Sequence, residues 1–230
     1  MDISLGLAWY VVFVLSASFH EAAHAFTAMK FGDRTAYQGG QVTLHPIPHI
    51  AREPFGMIVV PIVSFLFNGW MIGWASTPID PYWAGRNHKK AALMSLSGPA
   101  SNLLLILVSA ALIHIGIAAG FFNQPSISEL GFSTIVTADA GTLANGAANM
   151  LSICFSLNIV LTTFNLLPVP PLDGTAIVGL FLDRATAEKY QSFIHQPGIA
   201  LFGLIMAWMS MDFIFPPVYA LAVSFLYPGL

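Results

Sequence analysis

Residues 5–29 form an apolar run with no charge in it except at His20, Glu21 and His24, and this combination leaves the chain few ways to fold. The run is long enough for a membrane-spanning helix, which needs about 20 apolar residues. Ionisable side chains at membrane depth are costly and need a compensating partner. On a helix, residues four apart lie about 40° apart around the axis, so His20 and His24 project from one face, close enough to share an ion. Glu21 stands one residue round, beside that ion. In this His-Glu-x-x-His spacing two neutral imidazoles bind zinc, and the carboxylate takes a proton from the water that the ion activates. Without an ion, burying the three groups together in hydrocarbon would cost several kcal/mol.

The rest of the composition agrees. The chain is 56% hydrophobic and 8% charged, whereas a soluble domain carries about 25% charged residues. An all-α polytopic membrane protein is expected, with residues 1–230 as one integral membrane domain. Cys154 is the only cysteine, which excludes an intramolecular disulfide and leaves zinc ligation to histidine and carboxylate. No basic patch points to nucleic acid; the partner that the composition implies is the lipid bilayer. Asp2 stands where a signal peptide would be basic, so the first run is expected to stay in the mature protein.

Runs of spanning length are 5–29, 91–121, 146–167 and 198–226. A fifth, 55–74, contains Gly56, Pro61, Asn68, Gly69 and Gly73, which suit a re-entrant segment as well as a span. All eight basic residues lie in three connections: Lys30, Arg34 and Arg52; Arg86, Lys89 and Lys90; Arg184 and Lys189. Cytoplasmic loops collect Lys and Arg. If 55–74 dips in and returns, every basic residue is cytoplasmic and the connection 122–145, which has none, is outside. That reading is favoured; it puts the N-terminus outside. His20 is ten residues from Lys30, about 15 Å along a helix, so the site would lie in the bilayer toward the cytoplasmic side. Thr35-Ala36-Tyr37-Gln38 and Gln41-Val42-Thr43-Leu44 flank Gly39-Gly40, a turn signal for a small cytoplasmic β-hairpin whose open edge could accept an extended peptide; an ordinary loop is the alternative.

The run 91–121 contains Ser97-Gly98-Pro99-Ala100-Ser101-Asn102. Asn102 reads either as a helix–helix hydrogen bond or as a catalytic donor to an oxyanion. The run 146–167 leads into Asn165-Leu166-Leu167-Pro168-Val169-Pro170-Pro171-Leu172-Asp173-Gly174, where the prolines must unwind the helix. A catalytic zinc site needs a third protein ligand and an open fourth position. Asp173 is the acidic residue best placed for it, with capping of a helix near Thr175 as its alternative. His45 and His49 could gate the site or hold a second metal, or be plain loop residues. His88, His114 and His195 read as solvated, bundle and helix-boundary residues.

Taken together, His20-Glu21-Ala22-Ala23-His24, Lys30-Phe31-Gly32-Asp33-Arg34, Gly73-Trp74-Ala75-Ser76-Thr77-Pro78, Ser97-Gly98-Pro99 with Asn102, and Asn165 through Asp173-Gly174 resemble the site-2 protease family of intramembrane zinc metalloproteases. The resemblance implies a three-helix catalytic core in the compact form without a PDZ or nucleotide-sensing domain. It also implies one zinc per chain on His20, His24 and Asp173, and Glu21 as general base and acid. Asn102 becomes a candidate stabiliser of the tetrahedral intermediate, and Asn165 a structural or substrate-side group. The chain departs from the family pattern at Gln41, His45, Ala51 and Ser76-Thr77-Pro78, none of which is an expected ligand.

The expected function is zinc-dependent hydrolysis of peptide bonds in or near transmembrane segments of membrane protein substrates, with water arriving from the cytoplasmic side. The alternative is an intramembrane metal transporter or metal sensor. Transporters spread ionisable residues along a path, whereas here they converge at one depth.

Overall fold

The structure, a computed structural model, describes residues 2–139 and 141–229. In chain order the helices are α1 (Ile3–Phe31), α2 (Thr35–Gln38), α3 (Ile47–Arg52), a π-helical turn (Phe55–Val59) running into α4 (Val60–Asn68), α5 (Pro81–Arg86), α6 (His88–Ala118), α7 (Leu143–Asn165), α8 (Asp173–Ile177), α9 (Arg184–Ile194) and α10 (Ile199–Leu226). Four of them, α1, α6, α7 and α10, are long and apolar enough to cross a membrane.

Helices α1, α6 and α7 pack on one another, and α10 lies against α7. Between helices in hydrocarbon the water-driven hydrophobic effect is missing, so close packing and buried polar bonds must hold them. Helix α1 meets that demand with buried small residues, Ser16, Ala17, Ser18, Ala22, Ala25 and Ala28. It starts at Asp2, whose carboxylate accepts from the Ser4 and Leu5 N–H groups, and stops at Gly32, which takes φ 105°. Above the site, Trp9 and Phe13 of α1 pack with Ile153 and Leu157 of α7 and with Met57, Phe65 and Met71. The connection between α6 and α7 folds over this end: Trp9 Nε1 donates to Ser133 Oγ, and the Tyr227 hydroxyl donates to the Ile135 carbonyl.

Residues 55–74 do not cross. Phe55–Asn68 is continuous apolar helix of about 21 Å, short of the roughly 30 Å hydrocarbon layer. Pro61 has no N–H to give, and the turn before it is wound in the π register, with the Val60 N–H reaching the Phe55 carbonyl. Gly69 at φ 76° ends the helix. The chain then comes back without regular structure: the Ile72 N–H donates to Ser64 Oγ and the Trp74 N–H to the Gly56 carbonyl. The limbs meet at two glycines, since a Cβ on Gly73 would stand 2.3 Å from the Gly56 oxygen and one on Gly56 2.4 Å from the Trp74 oxygen. Ser76 on the returning limb bonds both Glu53 and Arg52 at the start of the departing one. The segment therefore leaves from and returns to one end of the bundle.

The expected β-hairpin is not formed; among the described residues there is no strand, and one isolated bridge joins Asn123 and Thr137. Local chemistry favours a helical turn instead. The Asp33 carboxylate accepts from both the Thr35 N–H and hydroxyl and so starts α2. Burial pushes the Asp33 carboxyl up, but these bonds and one from the Asp80 N–H hold it below its usual range. Gly39-Gly40 then ends α2: Gly40 takes φ 72°, its N–H bonds the Tyr37 carbonyl, and the Gln41 N–H reaches the Ala36 carbonyl. That is a Schellman cap, which uses the same residue type as a hairpin turn.

Gly73→Val drives a side chain into the Gly56 oxygen and the Phe13 ring, so it is expected to cost about 1–3 kcal/mol or more. Thermal unfolding in detergent checks this against Gly85→Ala, where nothing lies within 4 Å of the added carbon and no loss is expected.

Candidate metal centre

Three helices and one turn build the centre. His20 and His24 come from adjacent turns of α1, with ring centroids 4.6 Å apart. Asp173 is delivered by the Pro-broken stretch after α7: it opens α8, whose N-cap is Leu172, and its carboxylate caps nothing. That side chain points at the two imidazoles instead. Asp173 Oδ2 lies 3.0 Å from His20 Nε2 and Oδ1 3.2 Å from His24 Nε2, and the two Nε2 atoms are 3.0 Å apart. Gly174 makes the turn tight enough, since a Cβ there would be 2.2 Å from the Leu167 carbonyl oxygen.

The far sides of the rings fix what converges. His20 Nδ1–H donates to Asn102 Oδ1, and His24 Nδ1–H donates to the Met94 carbonyl of α6 at 2.8 Å. With both rings neutral, the form that can ligate a cation, both Nε2 atoms present lone pairs toward each other and toward carboxylate oxygens. His20 and His24 are 7% and 5% exposed, so water cannot screen that repulsion, and a cation among them turns it into attraction. Ligand atoms on a tetrahedron of about 2.05 Å bonds stand roughly 3.3 Å apart, close to the separations found. Gly98 of α6 keeps the space clear: a Cβ there would lie 2.4 Å from His24 Nε2 and 2.6 Å from His20 Nε2. The donor set and the cradle fit a divalent ion of the zinc type, which His20, His24 and Asp173 would hold. Among the described residues these form the one such His/Cys/Asp/Glu cluster.

Glu21, also buried, turns its carboxylate to the returning limb of the re-entrant segment. Thr77 Oγ1 donates to Glu21 Oε2 at 2.7 Å and lies 3.0 Å from the Glu21 carbonyl. Sequence reasoning missed Thr77; the only sign of it was the departure from the family pattern at 76–78. Asn102 takes the first of the two roles weighed for it. It is fully buried behind His20, with its carbonyl held by that ring and its amide donating to Asn158 of α7 at 2.8 Å, so it is not aimed as an oxyanion donor. Asn158 was also missed, although it is a polar residue inside an apolar run. Asn165 is half-buried and donates to the Leu161 carbonyl of its own helix.

The remaining candidates stay outside the centre. His45 is exposed and accepts from the Ile47 N–H, while His49 is buried with Nε2 on the Thr43 carbonyl. Neither joins a second cluster among the described residues.

Gly98→Ala sets a methyl group against both Nε2 atoms. Purified protein carrying it is expected to lose bound metal while keeping its helical content, as metal analysis and circular dichroism would show.

Comparison with known proteins shows the family of the chain. The model of Peptidase family M50 matches residues 8–208. A Bacillus subtilis (strain 168) protein named "Putative zinc metalloprotease YwhC" is 36% identical over 195 residues, which cover 81% of this chain and 78% of that one. Two proteins named "Putative zinc metalloprotease Rip2" are also similar. The Mycolicibacterium smegmatis one is 26% identical over 70% of this chain, and that of Mycobacterium tuberculosis (strain H37Rv) 27% over 71%. Each of these alignments covers 52% of the mycobacterial protein, so the chain spans about half their length. No solved structure matches the chain. With the family matched over most of its length and a relative more than one third identical, the chain belongs to peptidase family M50, the site-2 protease family of metalloproteases.

Proposed function

We propose that the protein is a zinc-dependent intramembrane endopeptidase that hydrolyses peptide bonds in or near transmembrane segments of membrane protein substrates. The observation that carries this reading is the convergence of His20 and His24, on a helix of spanning length, with Asp173 on one point, and the buried Glu21 next to His20 on that helix.

In this reading His20, His24 and Asp173 hold one zinc per chain. When bound, the ion polarises the scissile carbonyl and lowers the pKa of water to about 7. Glu21 removes a proton from the attacking water and delivers it to the leaving amine as the C–N bond breaks. Thr77 holds one carboxylate oxygen of Glu21, leaving the other to exchange the proton. A substrate helix must unwind locally, because its amides are shielded and already hydrogen-bonded.

Topology supports a site near the cytoplasmic face. The returning course of 55–74 leaves the first two basic connections at the end of the bundle where α1 ends and α6 begins, and α8, which leads to the third, packs on α6. Basic residues collect on the cytoplasmic side, which supports reading that end as cytoplasmic. Toward the other end the buried polar groups of the core helices are uncharged: Ser16, Ser109, Ser152, Ser156 and Asn158. An ion path across the membrane would need charged or titratable stations there, which favours hydrolysis over transport.

The test is metal content together with cleavage of a transmembrane substrate in detergent or liposomes. Wild type is expected to hold one zinc per chain. Glu21→Gln is expected to keep the zinc and lose roughly 10²- to 10⁴-fold in cleavage rate, and Asp173→Ala to lose the zinc. Cleavage indifferent to Glu21, together with metal uptake into sealed vesicles, would establish transport instead.

A further inference from the structure

We propose that Asn158 is a positioning residue for the metal ligand His20, acting through Asn102 by setting which way a buried line of hydrogen bonds points. The inference rests on the metal-site reading above and goes beyond it by naming what fixes the tautomer of one ligand.

His20 is useful to a cation only if Nδ1 carries the proton and Nε2 the lone pair, so it needs an acceptor at Nδ1. His24 has an unambiguous one, the Met94 backbone carbonyl. His20 faces a side-chain amide, Asn102, whose oxygen and nitrogen could trade places by a half-turn. Turned over, Asn102 would offer N–H to N–H and push the proton onto Nε2. What forbids the turn is one step further away: Asn102 Nδ2 donates to Asn158 Oδ1 at 2.8 Å. Asn158 could turn as well, but its Nδ2 donates to the Cys154 carbonyl at 2.7 Å and to Ser16 Oγ at 3.0 Å. A backbone carbonyl only accepts, so Cys154 anchors the direction of the whole line. From there the order is forced: Asn158 nitrogen to Cys154, Asn158 oxygen to Asn102, Asn102 oxygen to His20, and the His20 lone pair to the ion.

Burial makes the line matter. Ser16, Asn102 and Asn158 are 1%, 0% and 0% exposed, so no bulk water can substitute for a lost partner, and a reversed amide would leave unmatched donors and acceptors. The line also ties α1, α6 and α7 together from His20 to about one helical turn beyond it.

Zinc retention against a graded chelator tests this in detergent-purified wild type, Asn158→Leu, Asn102→Leu and the double variant, alongside melting of the metal-free proteins. Each single variant is expected to bind zinc about 10- to 100-fold more weakly. In the Asn102→Leu background, adding Asn158→Leu is expected to change affinity by less than about twofold, because the route to His20 is already cut. Ser16→Ala, which leaves the Cys154 anchor in place, is expected to stay within about threefold of wild type. Wild-type affinity in Asn158→Leu, or full multiplication of the two losses in the double variant, overturns the proposal. So does a loss that follows the melting temperature of the metal-free protein. Asn158→Ala takes the place of the leucine variant if that one does not fold. A wild type that binds no zinc overturns the metal-site reading itself, which the first sample alone reveals.

Discussion

The structure depends on the meeting of three electron pairs, from His20, His24 and Asp173, in a space that water hardly reaches. Such a meeting is repulsive by itself, and each surrounding feature either holds a donor in place or keeps the meeting point clear. The ring nitrogens behind are committed to Asn102 and Met94, so neither histidine can turn its lone pair away. Gly98 leaves room where any other residue would put a carbon.

The third donor is the hardest to hold, because it comes from a turn and not from a long helix. Packing from outside steadies it. Leu167 and Leu172, on either side of the prolines, bury against Ala207 of α10. Gly203 lets α10 approach so closely that a Cβ would stand 2.0 Å from the Pro170 oxygen. Thus α10, which buries little of itself, bears on the ligand set through Gly203 and Ala207. The re-entrant segment does the same for Glu21: its two glycines bring the limbs together and its returning limb sets Thr77 on that carboxylate. Elements that do not belong to the three-helix core therefore support two of the four chemical groups of the centre.

The ionisable groups buried in the core helices gather toward the end that carries the basic connections, whereas neutral amides and hydroxyls are buried along the whole length. Neutral groups can satisfy one another in hydrocarbon at modest cost, while charged ones need an ion, a partner or water. A centre displaced toward one face keeps its charged groups close to a supply of water without opening the opposite half of the bundle.

By itself the sequence determined the membrane class, the candidate spans and the three residues, His20, His24 and Asp173, that the structure brings together, because each signal is local or nearly so. An apolar run of spanning length, a four-residue spacing of histidines and a proline-broken stretch ending in Asp173 constrain the chain whatever lies around them. Gly39-Gly40 shows where local reading stops: the same dipeptide ends a helical turn or forms a hairpin, and Asp33 tipped it to the former by bonding Thr35. Tertiary structure alone decided the re-entrant course of 55–74, the task of Asn102 and the parts played by Thr77 and Asn158. Thr77 reaches Glu21 across 56 positions of sequence, and Asn158 meets Asn102 across the same number. No periodicity carries such pairings. They follow from how closely small residues let the helices approach, and a hydrogen bond takes its direction only when both partners are in place.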